Sequence, residues 1–550
     1  MFRDTVQTTI AKLPPSISLS TLTRHRRSPA IPDLPPAKNP NEASPAHGQA
    51  PCLPDPCSSV ESNSQQTPLP QGKESLEVSA TESSHSGSAL AADAASSGRL
   101  RRTVFPAGNR MRLLPLVGAT YFMVAGGPYG LEDIIGMAGY GRALLLLAIL
   151  PLLWSLPTAL MVGELASSIP AEGGFYVWVH RAMGPFWGFQ EAWLSLAASV
   201  FDMAIYPTLF VLYLGRLAPS WVAGWRGTLW EVAVVAGCAL WNLSGARTVG
   251  RSSVTLFCVL LAPFAVLIAA GFWTWLHAVH GMGVGLGAGA LLQPVSAPDL
   301  AGAVSVTLWN YMGWDNASTV AQEVQNPQQN YPRAMLGATA LVAATYILPL
   351  LAVGLAGLAP AEFSTGAWTD AARTLAGPLL ALSVVAGGMV NGVGMFNPLM
   401  MSYSRLPFAM ARDGQAPGVL LRHNRRGVPW VSVVACAAIW GLALRFSFER
   451  LISIDLVLYG ASLLLEFAAL VLLRLREPHL ERPFRVPGGT GGAIALGVAP
   501  AGLIAFAMWA ARDERILGLN ALLFAALIGL AGAVLYALMA AAKREKRKAA

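Results

Sequence analysis

Apolar stretches long enough to cross a lipid bilayer recur along the chain from residue 113 onward. A helix needs about 20 residues to span the hydrocarbon core, and each stretch is close to that length. Because no water reaches the backbone inside a bilayer, such segments must close their hydrogen bonds internally as helices. The predicted spans, numbered 1 to 12, are 113–139, 143–167, 186–216, 229–245, 252–275, 301–323, 335–356, 374–401, 428–445, 451–473, 493–511 and 516–541. We therefore expect an all-α integral membrane protein with about 12 transmembrane helices.

The composition agrees with a membrane environment. Of the 550 residues, 54% are hydrophobic and only 12% are charged, whereas an ordinary soluble domain carries about 25% charged residues. The net charge of +8 comes from basic residues at helix ends and in the tails, which is typical of membrane topology and not of a nucleic-acid groove. The five cysteines form no pattern with metal-ligand spacing, so we expect no metal and no cofactor.

Basic residues are distributed unequally between the two sides of the predicted bundle. If the N-terminus faces the cytoplasm, the inner loops and C-terminal tail hold eighteen Lys and Arg residues after residue 112, and the outer loops hold eight. Cytoplasmic loops of membrane proteins carry such an excess. We therefore expect both termini to be cytoplasmic and the protein to lie in the plasma membrane.

The two ends of the chain differ from the apolar part. Residues 1–105 are rich in Ser, Pro and small polar residues and have no sustained apolar period, which is typical of disorder. Residues 542–550 are strongly basic. The sequence predicts a disordered cytoplasmic N-terminal tail, a membrane domain over 106–541 and a short basic C-terminal tail.

Two of the predicted spans contain segments that should interrupt the helix. Span 1 holds Gly126-Gly127-Pro128-Tyr129-Gly130, and span 6 holds Met312-Gly313-Trp314-Asp315-Asn316. Proline removes a backbone donor, and glycine removes the steric bias towards helix. One such kink is common in membrane helices, but these two lie five spans apart and beside carboxylates. Broken spans at matching positions of two halves point to a substrate site near the bilayer midplane.

Several motifs resemble those of the amino acid–polyamine–organocation superfamily. They are residues 126–133 (GGPYGLED), 184–190 (GPFWGFQ), 309–327 (WNYMGWDNASTVAQEVQNP) and 481–489 (ERPFRVPGG). The resemblance covers about residues 112–540 and is nearest to the polyamine and L-type amino acid transporter branch. It implies a LeuT-like five-plus-five inverted repeat, with discontinuous helices 1 and 6, over 113–275 and 301–473, followed by two extra helices over 493–541. It also implies a substrate held between spans 1, 3, 6, 8 and 10.

Acidic side chains within the spans are the first candidates for functional residues. A carboxylate at the centre of a transmembrane helix costs about 2.5–3.5 kcal/mol even on the mildest scale. Glu132 and Asp133 follow the first break, Asp202 lies in span 3, and Asp315 lies in the second break. Neighbouring residues of a helix point about 100° apart, so at most one of Glu132 and Asp133 should face a substrate. The alternative for each acid is a structural role, such as capping a helix N-terminus.

Other residues complete the predicted pocket. Glycine amides at the first break would receive an anion, because half-helix N-termini favour negative charge. Aromatic side chains would stack on a cation, although aromatics in membrane helices more often serve packing, and Trp314 is the strongest of them. Polar side chains of spans 8 and 10 are weaker candidates. The residues are Gly126, Gly127, Tyr129, Gly130, Trp309, Trp314, Asn391 and Tyr459.

The chain carries no G-x-x-x-x-G-K-[ST] motif for ATP, so an ion gradient would have to drive transport. A proton is the favoured partner, because Asp202 and Asp315 are carboxylates that a proton would neutralise. Glu466 in span 10 is a further proton candidate, and Glu323 at the inner end of span 6 is a candidate for an inner gate. Span 5 lacks the lysine that serves as the cation in some superfamily members. Proton symport, sodium symport and exchange therefore stay open.

Two positions differ from the polyamine branch of the superfamily. Thr158 follows Pro157 in span 2, where polyamine members typically carry Glu. Glu191 follows Gln190, where plant members often carry a second Gln. The first difference removes a negative charge and weakens the prediction of a polyamine substrate.

These observations predict a secondary active transporter of amino acids, polyamines or both. It would work by alternating access, as a proton-coupled symporter or an exchanger. Two alternatives stay open: a nutrient receptor built on a transporter fold, without net transport, and a sodium-coupled amino acid symporter. We do not expect an enzyme, because none of the histidines near the spans has an evident catalytic partner.

Overall fold

The computed structural model describes residues 110–282, 291–444, 448–516 and 518–549. The predicted tail over 1–105 lies outside these residues. Within them the chain is helical, except for connecting segments, isolated bridges and one antiparallel ribbon of Arg515–Ile516 (β1) and Leu519–Asn520 (β2). The α-helices are Leu113–Val124 (α1), Glu132–Ala138 (α2), Tyr140–Leu150 (α3), Leu156–Ser168 (α4), Gly174–Met183 (α5), Pro185–Leu217 (α6), Pro219–Val222 (α7), Trp225–Asn242 (α8), Ala246–Met282 (α9), Leu300–Asn310 (α10), Pro327–Leu355 (α11), Trp368–Ala376 (α12), Pro378–Tyr403 (α13), Arg405–Arg412 (α14), Trp430–Ala443 (α15), Phe448–Arg476 (α16), Gly489–Ala510 (α17) and Ala521–Ala549 (α18).

Each predicted span coincides with a helix or with two consecutive helices, except span 6, whose second half forms short 3₁₀ turns. In the described part, 8 continuous helical segments are long and apolar enough to cross a membrane. One of them joins α3 to α4 through a π-helical turn at Pro151–Ser155, where proline disturbs the helical ladder. The other predicted spans are the two broken ones and the shorter helices α8 and α15. The all-α membrane fold predicted from the length of the apolar stretches is confirmed.

Both predicted helix breaks are present. α1 ends at Val124 and α2 begins at Glu132, and between them Gly127 and Gly130 have φ angles of +70° and +89°. α10 ends at Asn310, and Gly313 has a φ of +93°. L side chains rarely adopt these left-handed conformations, so glycine is needed at all three positions. The chain after the second break continues only as short 3₁₀ turns, Asp315–Thr319 and Ala321–Glu323.

Short backbone bridges hold the inner end of span 6. The Met111 amide donates to the Glu323 carbonyl at 2.7 Å, and the Gln325 amide donates to the Met111 carbonyl at 2.8 Å. On another side, the Gly173 amide donates to the Thr319 carbonyl at 2.9 Å. The segment just before α1 is therefore joined directly to the inner half of the other broken helix.

A fully buried carboxylate, Glu164 of α4, joins the C-terminal ends of two helices. It forms an ion pair with Arg474 of α16, and its second arginine partner, Arg482, lies with Nε 3.4 Å from Glu164 Oε1. The Val486 amide also donates to Glu164 at 2.7 Å. With three such partners the buried charge is well compensated.

We predict that Arg474→Ala destabilises the protein more than loss of an exposed ion pair does. Removing one partner of a buried pair costs about 3–5 kcal/mol. Because Arg482 retains part of the interaction, we expect the free energy of unfolding to fall by about 3 kcal/mol. Thermal unfolding of the purified variants in detergent measures the difference. The matched control is Arg181→Ala, since the Arg181–Glu477 pair is substantially exposed and worth at most about 1 kcal/mol. Equal melting temperatures for the two variants would contradict the prediction.

Candidate functional site

A cavity lies between the two helix breaks. The space free of atoms there amounts to about 470 Å³, part of it open to solvent, and it is lined from α1, the two breaks, α6, α10, α13 and α16. These elements belong to spans 1, 3, 6, 8 and 10, the set that the family resemblance implies. The charged residues of the lining are Asp202 and Asp455, and both are acidic.

Half of the predicted pocket residues line this cavity. They are Gly126, Tyr129, Asp202, Trp309, Asn391 and Tyr459. The other six, Gly127, Gly130, Glu132, Asp133, Trp314 and Asp315, are absent from its lining. The two groups differ in what their polar atoms contact.

Asp202 and Asp455 line the cavity from two neighbouring helices, α6 and α16. Asp202 of α6 accepts a hydrogen bond from the Tyr206 hydroxyl at 2.6 Å, one helical turn further along the same helix. Asp455 of α16 accepts a hydrogen bond from the Trp309 side chain. Its Oδ2 has no partner among the described residues. The cavity therefore presents a buried carboxylate oxygen that is free to accept a hydrogen bond.

Asp455 was missed in the sequence analysis, although the signal was present. It lies inside predicted span 10, where a carboxylate is as costly as in span 3. It also lies four residues before Tyr459, and residues at this spacing share a helix face. The argument that singled out Asp202 therefore applies to Asp455 as well.

The first break approaches α13 closely at Gly126. A Cβ atom on Gly126 would overlap the side-chain amide of Asn391 and would lie 2.7 Å from the Met395 sulfur. Asn391 Oδ1 has no hydrogen-bond partner in the described residues. Tyr129 is anchored on the same helix, because its hydroxyl donates to the Val384 carbonyl at 2.5 Å. Contacts with α13 thus hold in place the part of the cavity wall that the first break forms.

Glu132 and Asp133 do not face the cavity, and the structure assigns both to structural contacts. Glu132 accepts hydrogen bonds from the amides of Gly130 at 2.6 Å and Gly366 at 3.2 Å. Asp133 accepts from the amide and hydroxyl of Thr365, at 2.8 and 2.7 Å. These bonds tie the start of α2 to the connection before α12. The Gly130 amide is consequently occupied and does not point to a substrate.

Trp314 and Asp315 also lie outside the cavity. Trp314 is fully buried, and its indole nitrogen has no hydrogen-bond partner in the part of the chain that the structure describes. Asp315 accepts a hydrogen bond from the Tyr459 hydroxyl, which itself accepts one from the Gly313 amide at 3.0 Å. Tyr459 therefore separates Asp315 from the cavity. Trp309, and not Trp314, is the tryptophan of span 6 that lines the cavity.

The two remaining coupling candidates have contrasting surroundings. Glu323 forms a buried ion pair with Arg405 of α14, at 3.0 Å, near the inner end of span 6. Glu466 of α16 is fully buried, and neither of its oxygens has a hydrogen-bond partner among the described residues. Their roles in gating and coupling stay predictions.

The substitution of Thr158 for the glutamate typical of polyamine members does not alter the charge of this cavity. Thr158 is buried in α4, its hydroxyl donates to the Trp154 carbonyl at 2.8 Å, and it does not line the cavity. The negative charge of the cavity comes from α6 and α16. The presence of Thr158 is therefore weaker evidence against an amine substrate than the sequence alone suggests.

Comparison with known proteins identifies relatives along most of the chain. The polyamine transporter PUT1 of Oryza sativa subsp. japonica is 34% identical over 401 residues, which cover 72% of this chain and 72% of that protein. The polyamine transporter RMV1 of Arabidopsis thaliana is 30% identical and covers 73% and 80%. The serine/threonine exchanger SteT of Bacillus subtilis is 27% identical and covers 68% and 83%.

A solved structure supports the fold. The crystal structure of MhsT in complex with L-phenylalanine superimposes with a TM-score of 0.52 at 14% identity, covering 73% of this chain and 98% of that chain. At this identity the likeness concerns the fold alone, which is LeuT-like. The model of the amino acid permease family matches residues 117–531. The chain therefore belongs to the amino acid permease family, within the amino acid–polyamine–organocation superfamily.

Proposed function

We propose that this protein is a secondary active transporter of small cationic amines, with polyamines as the favoured substrates, and that it works by alternating access around the cavity between the helix breaks. The observation that carries the proposal is the charge of the lining. Two carboxylates, Asp202 and Asp455, are the charged groups that face the cavity. A cationic substrate neutralises buried negative charge that otherwise has no ionic partner there.

The chemistry of an ammonium group fits these two acids. An ammonium carries three hydrogen-bond donors and no acceptor, and Asp455 offers an unoccupied oxygen. The Trp309 ring also lines the cavity, and a cation over such a ring gains about 0.5–2 kcal/mol. A substrate with two separated amino groups would engage both carboxylates at once.

An amino acid is the second candidate, because one relative is named a serine/threonine exchanger. Its carboxylate would need donors from the first break. The Gly130 amide already donates to Glu132, and the side chains that carry charge at the cavity repel an anion. The cavity therefore offers hydrogen-bond acceptors for an amine rather than donors for a carboxylate, which favours the amine as substrate.

The coupling ion and the orientation are part of the same proposal. We place the protein in the plasma membrane with both termini in the cytoplasm, on the excess of basic residues in the inner loops. A proton is the proposed driving ion, since acids within the membrane domain outnumber their basic partners there. Coupling to sodium, or binding without transport, would each give a different result in the experiment below.

Purified protein in liposomes should accumulate labelled putrescine or spermidine when a proton gradient is imposed. Labelled amino acids, tested in parallel, should accumulate less. The control is the same vesicles with the gradient collapsed by a protonophore. Accumulation that depends on a sodium gradient would show that sodium, and not the proton, is the coupling ion. Binding of polyamine without any gradient-dependent accumulation or exchange would overturn the transporter and favour a receptor.

Removing either cavity carboxylate should weaken substrate binding and transport. A hydrogen bond to a charged group is worth about 1.5–3 kcal/mol, so Asp202→Asn and Asp455→Asn should each raise the half-saturating polyamine concentration about tenfold to a hundredfold. Initial uptake rates over a range of substrate concentrations measure the change. The matched control is Asp513→Asn, because the Asp513 side chain is 82% exposed at the far end of α17. Wild-type kinetics in both cavity variants would exclude these acids from the substrate site.

A further inference from the structure

Three buried carboxylates lie close enough to interact electrostatically and are absent from the lining of the cavity. They are Asp315 of the second break, Glu191 of α6 and Glu466 of α16, and each is 2% exposed or less. Asp315 and Glu191 both lie within electrostatic range of Glu466 and of each other. We name these residues the acidic cluster.

The acidic cluster has too few partners for three charges. Neither oxygen of Glu466 and only one oxygen of Glu191 makes a hydrogen bond within the described residues; the Ser195 hydroxyl donates to Glu191 at 2.9 Å. No basic group acts on any of the three there, in contrast to Glu164 and Glu323, which pair with arginines. An unpaired buried carboxylate is far more costly than its protonated form. The acidic cluster is therefore stable only when protons occupy part of it.

The surroundings of Glu466 contain no alternative source of compensation. The titratable groups that face it are Asp315, Glu191 and Tyr459 of its own helix. Helix α5 also packs against α16, but its His180 and Arg181 are engaged with Asp413 and Glu477. Helices α10 and α17 carry no titratable side chains, and Glu164 of α4 is held by its arginines. Helix α18 also packs against α16, but its Lys543 and Arg544 are exposed at its C-terminal end. A proton is thus the cation that fits Glu466.

The acidic cluster is connected to the cavity through Tyr459. The Tyr459 hydroxyl donates to Asp315 and accepts from the Gly313 amide, and Tyr459 is also a lining residue of the cavity. If a donor in the cavity gives up a proton to the remaining lone pair of this hydroxyl, the hydroxyl can pass its own proton to Asp315. The hydroxyl is unchanged after the step, and the carboxylate has gained one proton.

A second connection leads towards the inner surface. Glu191 lies within electrostatic range of Tyr176, whose hydroxyl donates to Asp413 at 2.8 Å. Asp413 and its neighbour His180 are partly exposed, at 27% and 28%. Burial opposes ionisation of Asp413, but hydrogen bonds from His180 and Tyr176 outweigh it and hold the pKa of Asp413 below its usual range. Asp413 therefore stays ionised at neutral pH, so a proton that reaches it passes readily to water.

We propose that the acidic cluster, with Glu466 as its central member, binds the proton whose movement is coupled to transport. Tyr459 connects it to the substrate cavity, and Tyr176 and Asp413 connect it to the inner surface. The inference rests on the transport activity proposed above, and it separates the proton site from the substrate carboxylates Asp202 and Asp455. Substrate and proton would then communicate through the hydroxyl of Tyr459.

The test compares two transport modes of Glu466→Gln in liposomes, with putrescine or spermidine as the probe, whichever the wild type transports. Counterflow of labelled against unlabelled polyamine requires substrate movement but no net proton movement. Accumulation under an imposed proton gradient, with a pH dye inside the vesicles, requires both. We expect Glu466→Gln to retain counterflow and to lose gradient-driven accumulation and dye-reported proton entry, because a neutral amide cannot take up the coupled proton. Glu514→Gln, an exposed glutamate outside the membrane domain's core, is the matched control and should behave as wild type in both modes.

Several results decide the matter. Proton-driven accumulation in Glu466→Gln at the wild-type level overturns the inference, whatever the counterflow rate. If Glu466→Gln does not fold, Glu191→Gln is tested in the same two modes, and wild-type coupling in that variant overturns the inference equally. Absence of counterflow in the wild type would instead refute the proposed transport activity. Tyr459→Phe should slow dye-reported proton entry more than counterflow, since it removes the connecting hydroxyl and keeps the ring.

Discussion

Inside a bilayer, a helix can be interrupted only where other groups replace the lost backbone hydrogen bonds. Side chains supply that replacement at both breaks. Trp368 donates to the Pro128 carbonyl at 2.8 Å and Glu132 accepts from the Gly130 amide at the first break, while Trp154 donates to the Tyr311 carbonyl at 3.1 Å at the second. Trp368, Glu132 and Trp154 thus stabilise the interrupted backbone, and none of them lines the cavity.

The buried acids fall into two groups according to their partners. Glu132, Asp133, Glu164 and Glu323 are satisfied by amides, hydroxyls or arginines, so their burial is explained by the fold itself. Asp455 and Glu466 retain oxygens without partners, and each is costly unless a cation or a proton is supplied from outside. Glu191 and Glu172 also retain buried oxygens without partners among the described residues, so the fold alone does not explain the burial of these acids.

The sequence predicted the spans and the breaks well, because both depend on local properties. Apolar length sets a span, and Gly126 to Gly130 or Gly313 sets a break, whatever lies elsewhere in the chain. The orientation of each acid depends on distant partners. Glu132 and Asp133 looked exposed to substrate because Thr365 and Gly366, more than 200 residues away, were not yet known to bind them. Asp455 could have been found from its position in span 10, whereas the position of Trp314 away from the cavity depends on how the second break unwinds.

The short parallel bridge at Met111 has a mechanical consequence. Both its amide and its carbonyl are bonded to the chain beside Val324, so the entry to α1 and the inner end of span 6 are fastened at a single point. Any separation of the two half-helices at this end must either rupture these two bonds or move both half-helices together. In the second case, the start of α1 and the last part of span 6 move as one unit.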